Sequence, residues 1–516
     1  MQEKMVLPTS EENTVTIINY LTELSCCDRC ILRFLGLQAY NNEATYRNPK
    51  DYFNKLLTVE PASEEPSIKK AKSNVCPTCL GCFDPELVES FTKSLCSCGI
   101  DQFKYHNFSF NVSFPKCLPV RAHSMLLHLK QKFPNYCFGE LYDTKSIKDK
   151  DVILLEQPHK IFRAASSQLL GKILGKPYHP RSNLSLLIQL GYEDDSMEVE
   201  NLKNLAQTNK KKNVYISKTN IQGFLEKLSD KEFCSNFPVP PNIPDKQVVL
   251  EKLEVTAQPI YLGGRYLKFK RNVGQTPWVV DGVSLVDNNI QDIIFDVISS
   301  LLGYEKSNMT FTASGREDMD VRMLGTGRPF YIKIENPKVK EISKELLREI
   351  EKQVIATEMV AVTKLQLVNE SELKRIKHGE ALKKKKYKAL CKTWAPNIED
   401  VITKINNYGE EFAIQQLTVM RVLHRRTILS REKIIHKMSA VKVPDHDDLF
   451  ELELQTQAGT YVKEFVHGDF ERTKPNISEI VGFPTDLVAL DCADIDLVWP
   501  EEDIGNEPCD TVTENE

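Results

Sequence analysis

The sequence predicts an α+β protein of two domains and a short acidic tail, and three observations carry that expectation. Short segments of the second half alternate apolar and polar residues. Two long amphipathic helical stripes accompany them, and a Pro-rich run at 237–244 (FPVPPNIP) sets them apart from a cysteine-rich first half. Proline fixes φ and removes a backbone donor, so such a run continues neither helix nor sheet and marks a boundary. A chain of 516 residues also exceeds what one hydrophobic core ordinarily serves. The expected divisions are 1–245, 246–500 and a tail at 501–516.

Taken in chain order, residues 15–40 carry apolar positions at helical spacing, and 59–73 (VEPASEEPSIKKAKS) form a polar, Pro-interrupted loop. In NFSFNVSF, Phe108, Phe110, Val112 and Phe114 alternate with small polar residues, the period of a half-buried strand. Beyond the boundary, Ile290, Ile293, Ile294, Val297, Ile298, Leu301 and Leu302 share one helical stripe. Ile342, Leu346, Leu347, Ile350, Val354 and Ile355 share another. Phe330, Ile332 and Ile334 alternate with Tyr331, Lys333 and Glu335, as Phe450, Leu452 and Leu454 do with Glu451, Glu453 and Gln455. Strands with one polar face, backed by helices, imply a mainly antiparallel sheet flanked by helices.

Composition bounds the function classes. Hydrophobic residues make up 41% and charged residues 27%, and no apolar run approaches the ~20 residues that cross a bilayer, so no membrane partner is expected. The polar start MQEKMVLPTSEENT lacks the basic and apolar regions of a secretory signal. The expected compartment is therefore reducing and intracellular, nucleus or cytoplasm, with Lys69-Lys70-Ala71-Lys72 a weak nuclear-import motif. Fourteen cysteines in that setting are not a disulfide framework. Ten lie at or before position 137, among them Cys27-Asp-Arg-Cys30 and Cys76-Pro-Thr-Cys79. Two Cys-x-x-Cys knuckles supply the four thiolates of a closed tetrahedral zinc site, which makes structural zinc the expected metal. Cys26 and Cys82 are adjacent competitors, since Cys79-Leu-Gly-Cys82 repeats the spacing.

The net charge of -5 hides two basic groups. One is Lys374, Arg375, Lys377, Lys383 to Lys386, Lys388 and Lys392; the other is Arg421, Arg425, Arg426 and Arg431. A charge run alone marks only a solvated face, but these are candidate phosphate-binding surfaces. The acidic residues from Glu501 to Glu516 offset them in the sum.

The densest polar segment runs from Thr312 to Phe330 and contains Gly315-Arg316-Glu317-Asp318, with Asp320 two residues on. Two further segments stand out: Lys385-Lys386-Tyr387-Lys388, a tyrosine within positive charge, and Gly459-Thr460-Tyr461-Val462-Lys463 at the end of an alternating strand. Together, and in this order, the three resemble the pseudouridine synthase superfamily. Arg265-Tyr266, Gln275-Thr-Pro-Trp278, Arg421-Val-Leu-His-Arg-Arg426, Gln457-Ala-Gly-Thr-Tyr461 and Arg472-Thr-Lys-Pro-Asn476 are similar to its archaeal and eukaryotic pseudouridine synthase ten branch. The resemblance is close over roughly 260–500 and loose over the first half.

That resemblance implies a zinc-bearing THUMP-like RNA-binding domain followed by an isomerase that converts uridine to pseudouridine in structured RNA. The implied target is the T-loop of tRNA, and other structured RNAs are further candidate partners. It implies Asp318 as nucleophile, since Gly-Arg-x-Asp fits the motif directly, with Asp320 as the rival for that role, Tyr387 as the base-stacking residue and Lys463 as the cation paired with Asp318. Arg265, Arg316, Arg421, Arg425, Arg426 and Arg472 are the implied RNA contacts; Cys27, Cys30, Cys76 and Cys79 are the metal ligands. A monomer without organic cofactor is expected.

The chemistry agrees with this assignment. Moving a glycosidic bond from N1 to C5 of uracil needs one well-placed carboxylate and no redox cofactor. An adjacent lysine favours the ionised carboxylate, so Lys463 is expected to hold a buried Asp318 in its charged form. A stacked uridine cannot present its glycosidic bond, so it must be extruded, and Tyr387 offers the flipped base a face. Two rivals are a non-catalytic RNA-binding or precursor-RNA processing factor of the same fold, and a methylation or thiolation enzyme. No Gly-rich nucleotide loop follows a strand in the second half to support the latter.

Overall fold

The structure is a computed structural model that describes residues 11–57, 75–141, 154–208, 216–339, 341–382 and 384–501. The import motif at 69–72 and all of the acidic tail but Glu501 lie outside them. The chain divides into two compact units, Met1–Ala257 and Gln258–Glu516. The division falls beyond the Pro-rich run because the strand that follows that run pairs within the first unit.

In the first unit, β1 (Ser109–Ser113), β2 (Leu184–Gly191) and β3 (Val249–Ala257) form a sheet in that order. The β1–β2 pair is parallel and β2–β3 antiparallel. The Phe-rich alternation around 107–114 lies here, with Phe108 and Phe110 buried against Phe162 and Tyr178. Cys27 occupies the N-cap position of the helix Asp28–Phe34, without a side-chain capping bond, and Cys30 lies within that helix. Cys76 and Cys79 sit in a tight turn closed by a bond from Leu80 N–H to the Cys76 carbonyl (2.9 Å).

The second unit is built on a ten-stranded sheet. Its strands are β4 (Ile260–Lys268), β7 (Met309–Ala313), β8 (Arg322–Ile334), β9 (Val360–Val368), β10 (Lys385–Thr393), β11 (Phe412–Leu417), β12 (Ser430–Lys442), β13 (Leu449–Thr456), β14 (Thr473–Lys474) and β15 (Thr485–Ile495). Their order is β14-β11-β12-β13-β10-β15-β8-β4-β9, with β7 also on β8. Two residues each, β5 (Val279–Val280) and β6 (Val283–Ser284) form a separate hairpin. Every pairing in the large sheet is antiparallel except β8 with β15. The helices Ile290–Leu302, Lys344–Ile355 and Ile398–Asn406 pack through Ile290, Ile294, Ile298, Leu347, Ile350, Val354, Val401 and Ile405, which gives the expected α+β architecture, although Ile355 at the end of the second stripe is exposed. Among the described residues no helix is long and apolar enough to cross a membrane.

One bend positions the site. At Arg322–Met323, β8 pairs with β15; at Phe330–Ile334 it lies between β4 and β7. The chain turns between these stretches at Gly325 and Gly327, both at positive φ (61° and 79°). A Cβ at Gly327 would stand 2.7 Å from the Tyr266 carbonyl oxygen, and one at Gly325 would overlap that of Ala493. Only glycine meets both conditions.

Candidate active site

The loop 314–321 joins β7 to β8, and its two acidic neighbours go opposite ways. Glu317 turns inward with 2% of its side chain exposed. It accepts hydrogen bonds from Arg328 Nε (2.8 Å) and the Tyr266 hydroxyl (2.9 Å), with Lys268 Nζ at 3.7 Å. Burial alone would weaken the hold of Arg328 on its proton, but attraction to Glu317 more than reverses this and keeps the guanidinium charged. Lys268 also donates to the carbonyls of Val273 and Asp318 (both 3.0 Å), and Gln275 donates to that of Gly315 (2.9 Å). The buried carboxylate and its partners therefore fix the backbone from which Asp318 projects. None of Glu317, Arg328, Lys268 or Tyr266 was assigned this role from sequence; the acid between Arg316 and Asp318 was the available signal.

Asp318 lines a cavity of about 470 Å³ together with Arg316, Tyr387, Arg421, Arg425, Arg426, Lys433 and Lys463. Its side chain is 37% exposed, which corrects the expectation of a buried carboxylate: the cavity is open to solvent. Arg421 Nη1 lies 2.8 Å from Asp318 Oδ2, while Lys463 Nζ lies 3.4 Å from the same oxygen. Lys463 is nearer to Asp320, at 2.6 and 2.8 Å from its two oxygens. The expected Lys463–Asp318 pair is thus a shared one, and the cation nearest Asp318 is Arg421, which the sequence had placed among the RNA contacts. Burial raises the affinity of Asp320 for a proton, but Lys463 outweighs it and holds the carboxyl below its usual range.

Tyr387 stands on β10 between Leu454 of β13 and Cys492 of β15. Burial pushes its phenol upward, so it presents a neutral ring to the cavity. The same cavity is lined by the turn at Gly459 (φ 78°), which leads into the helix Val462–His467. Gln416 clamps this entry by accepting from Tyr461 N–H (2.9 Å) and donating to its carbonyl (3.0 Å). Lys433 of β12, which the sequence reading passed over, donates to the Ala458 carbonyl (2.9 Å) at the cavity wall.

Two of the expected RNA contacts are otherwise engaged. Arg265 is only 4% exposed. Its guanidinium donates to the carbonyls of Thr326 (2.6 Å), Gly327 (2.8 Å), Leu497 (2.6 Å) and Trp499 (2.9 Å), which leaves no edge for a phosphate. Arg472 directs its Nε and Nη2 to the Thr418 carbonyl. Arg425 and Arg426, by contrast, are exposed.

In the first unit, the sulfurs of Cys27, Cys30, Cys76 and Cys79 all lie within 4.8 Å of one another, with Cys27 and Cys79 at 3.6 Å. A tetrahedral zinc with Zn–S bonds of about 2.3 Å needs its sulfurs about 3.8 Å apart, so the donor set fits. Cys26 and Cys82 stand outside this group, Cys26 beside the Thr78 hydroxyl at 3.7 Å.

Residues 261–496 match the family described as Pus10, C-terminal, and residues 76–255 match Eukaryotic Pus10, N-terminal. The chain is 30% identical over 543 residues to "tRNA pseudouridine synthase Pus10" of Homo sapiens, an alignment covering 96% of this chain and 99% of that one. The chain belongs to the Pus10 family. A Pus10 relative of the same printed name, from Thermofilum pendens, is 34% identical over 273 residues, covering 53% of this chain and 60% of its own. Among solved structures, one titled "Crystal Structure of a Cbf5-Nop10-Gar1 Complex" is similar at 12% identity and a TM-score of 0.25, covering 45% of this chain and 48% of that one. As a Pus10 member the chain is an isomerase of the pseudouridine synthase superfamily, the class its three motifs resemble.

Proposed function

We propose that this chain converts uridine to pseudouridine in the T-loop of tRNA, at positions 54 and 55, with Asp318 as the reacting carboxylate. The reading draws tRNA from the relatives' printed names, the T-loop positions from the motif resemblance alone, and its chemistry from one observation: Asp318 stands in an open cavity with a neutral tyrosine and a set of cations. The cavity is within the range of about 300–1,000 Å³ that encloses small ligands, so it suits a single extruded nucleotide. Tyr387 then stacks on the flipped base, and Arg316, Arg425 and Arg426 neutralise phosphates along the strand. The reaction balances internally: the C1′–N1 bond breaks, a C1′–C5 bond forms, the C5 proton leaves to water and N1 takes one up.

In the first unit, Cys27, Cys30, Cys76 and Cys79 would hold a structural zinc, which supplies folding energy rather than chemistry. That unit is read as the THUMP-like RNA-binding part.

The test uses folded tRNA transcripts labelled with tritium at uridine C5, since forming the new carbon–carbon bond releases the label to water. Wild-type protein is expected to release label from a transcript with uridines at 54 and 55 and not from one carrying cytidine at both. Release that is indifferent to those positions moves the target elsewhere. Tight tRNA binding with no release from any transcript would leave a non-catalytic RNA-binding factor.

A further inference from the structure

We propose that Arg421 and Glu464 form a positioning pair that selects the reacting oxygen of Asp318, holding Oδ2 and leaving Oδ1 to meet the flipped uridine. This rests on Asp318 being the reacting carboxylate. Arg421 bridges two carboxylates, with Nε 2.6 Å from Glu464 Oε1 and Nη1 2.8 Å from Asp318 Oδ2. Because a guanidinium is planar and rigid, seating one edge on an immobile acceptor determines where the other edge points. Glu464 is such an acceptor. Its side chain is 3% exposed, on the helix Val462–His467, whose Val462, Phe465 and Val466 are all buried.

The second oxygen of Glu464, Oε2, is buried and has no hydrogen-bond partner. A carboxylate left half-satisfied in an apolar setting is costly, and an apolar side chain would fill the place at less expense. Stability therefore does not account for Glu464, whereas a fixed seat for Arg421 does. The Tyr461 ring, 5.5 Å from the guanidinium carbon, restrains the same group from a third side.

Both cations near Asp318, Arg421 and Lys463, reach the same oxygen, Oδ2. No hydrogen bond reaches Oδ1 among the described residues, whereas Oδ2 is the nearer oxygen to both cations. An oxygen engaged by two cations is a poor donor of electrons, so the uncommitted one keeps its pair for the substrate. If Oδ1 attacks C1′, the Oδ1–C1′ bond forms as C1′–N1 breaks and its electrons leave on the uracil; when a pair from uracil then bonds C5 to C1′, the Oδ1–C1′ bond breaks, its electrons return to Oδ1, and C5 loses its proton to water as N1 gains one. If Oδ1 instead takes a sugar proton, the same departure of uracil absorbs the electrons, and the proton is handed back. In both cases the cations remain on Oδ2.

The experiment measures single-turnover label release and tRNA affinity side by side in the full chain. Arg421→Ala is expected to slow release roughly a hundredfold while the Kd for tRNA changes less than about threefold. Methylguanidinium in the buffer should restore part of that rate in Arg421→Ala and none in Asp318→Asn. Glu464→Gln keeps an acceptor for Nε but loses its charge, and should cost roughly tenfold in rate with affinity unchanged. Arg421→Lys, which reaches one carboxylate at a time, should fall between. The proposal is overturned if Arg421→Ala keeps its single-turnover rate and loses tRNA affinity, because Arg421 is then a phosphate contact. Circular dichroism identifies a misfolded Arg421→Ala, in which case Arg421→Lys and Glu464→Gln decide by the same two readouts. Label release persisting in Asp318→Asn is a separate failure, of the reading on which this one rests.

Discussion

Asp318 and Asp320 lie two residues apart and share Lys463, yet their environments assign them different work. Asp318 lines the cavity, whereas Asp320 closes the loop onto the helix that bears Lys463. Asp318→Asn is accordingly expected to lower label release by at least roughly three orders of magnitude while tRNA affinity changes less than about tenfold, since most binding energy comes from distributed phosphate contacts. Asp320→Asn should weaken turnover without ending it; the reverse ranking of the two variants would hand the chemistry to Asp320. The Asp320 carboxyl is held below its usual range, so its ion pair is complete above the unfolded value of about 3.9 and is lost only as pH falls through the lower folded one. Asp320→Asn should therefore leave the shape of the rate profile between about pH 5 and 8 unchanged. At this scale the sequence marks Asp318, Tyr387 and Lys463 because each sits in a short segment of unusual chemistry. It misleads at Arg265, whose carbonyl partners near residue 498 are brought to it only by tertiary folding.

At the scale of elements, the loop 314–321 depends on a charge cluster hidden beneath it. Replacing Glu317 with Gln leaves Arg328 and Lys268, each with 1% of its side chain exposed, without their counter-charge. Breaking a buried pair in this way costs about 3–5 kcal/mol. Glu317→Gln should lower the melting temperature of the second unit and slow label release, although the groups that hold the Asp318 carboxylate are Arg421 and Lys463 and not Glu317; an unchanged melting curve would show the cluster to be dispensable. The alternation of β13 was legible because that strand buries one face, whereas β8 is buried without a break from Gly327 to Ile332 and so covers its polar positions as well. The parallel pairing of β8 with β15 was not, because nothing local specifies a register between segments more than 160 residues apart.

For the whole molecule, the two units should respond independently to loss of metal. The protein is expected to carry one zinc per chain, lost in the Cys27→Ser, Cys76→Ser double variant. In that variant the first unit should become protease-sensitive while the second stays resistant. Elemental analysis finding no metal in the purified protein would refute the site, and full retention in the double variant would move the ligands to other cysteines. The knuckle spacing made the four sulfurs legible, but the domain limit was displaced because the pairing of β3 with β2 spans about 60 residues and crosses the Pro-rich run. A last consequence concerns the order in which the chain is made. Domains generally fold as they emerge from the ribosome, N-terminal first. Here β8, which carries the loop of Asp318, is flanked by β15, and Arg265 at the start of the unit grips the carbonyls of Leu497 and Trp499. The first unit can close while synthesis continues, but the second waits for its final strand, so a nascent chain holding every segment of the motif before residue 485 is still without an assembled catalyst.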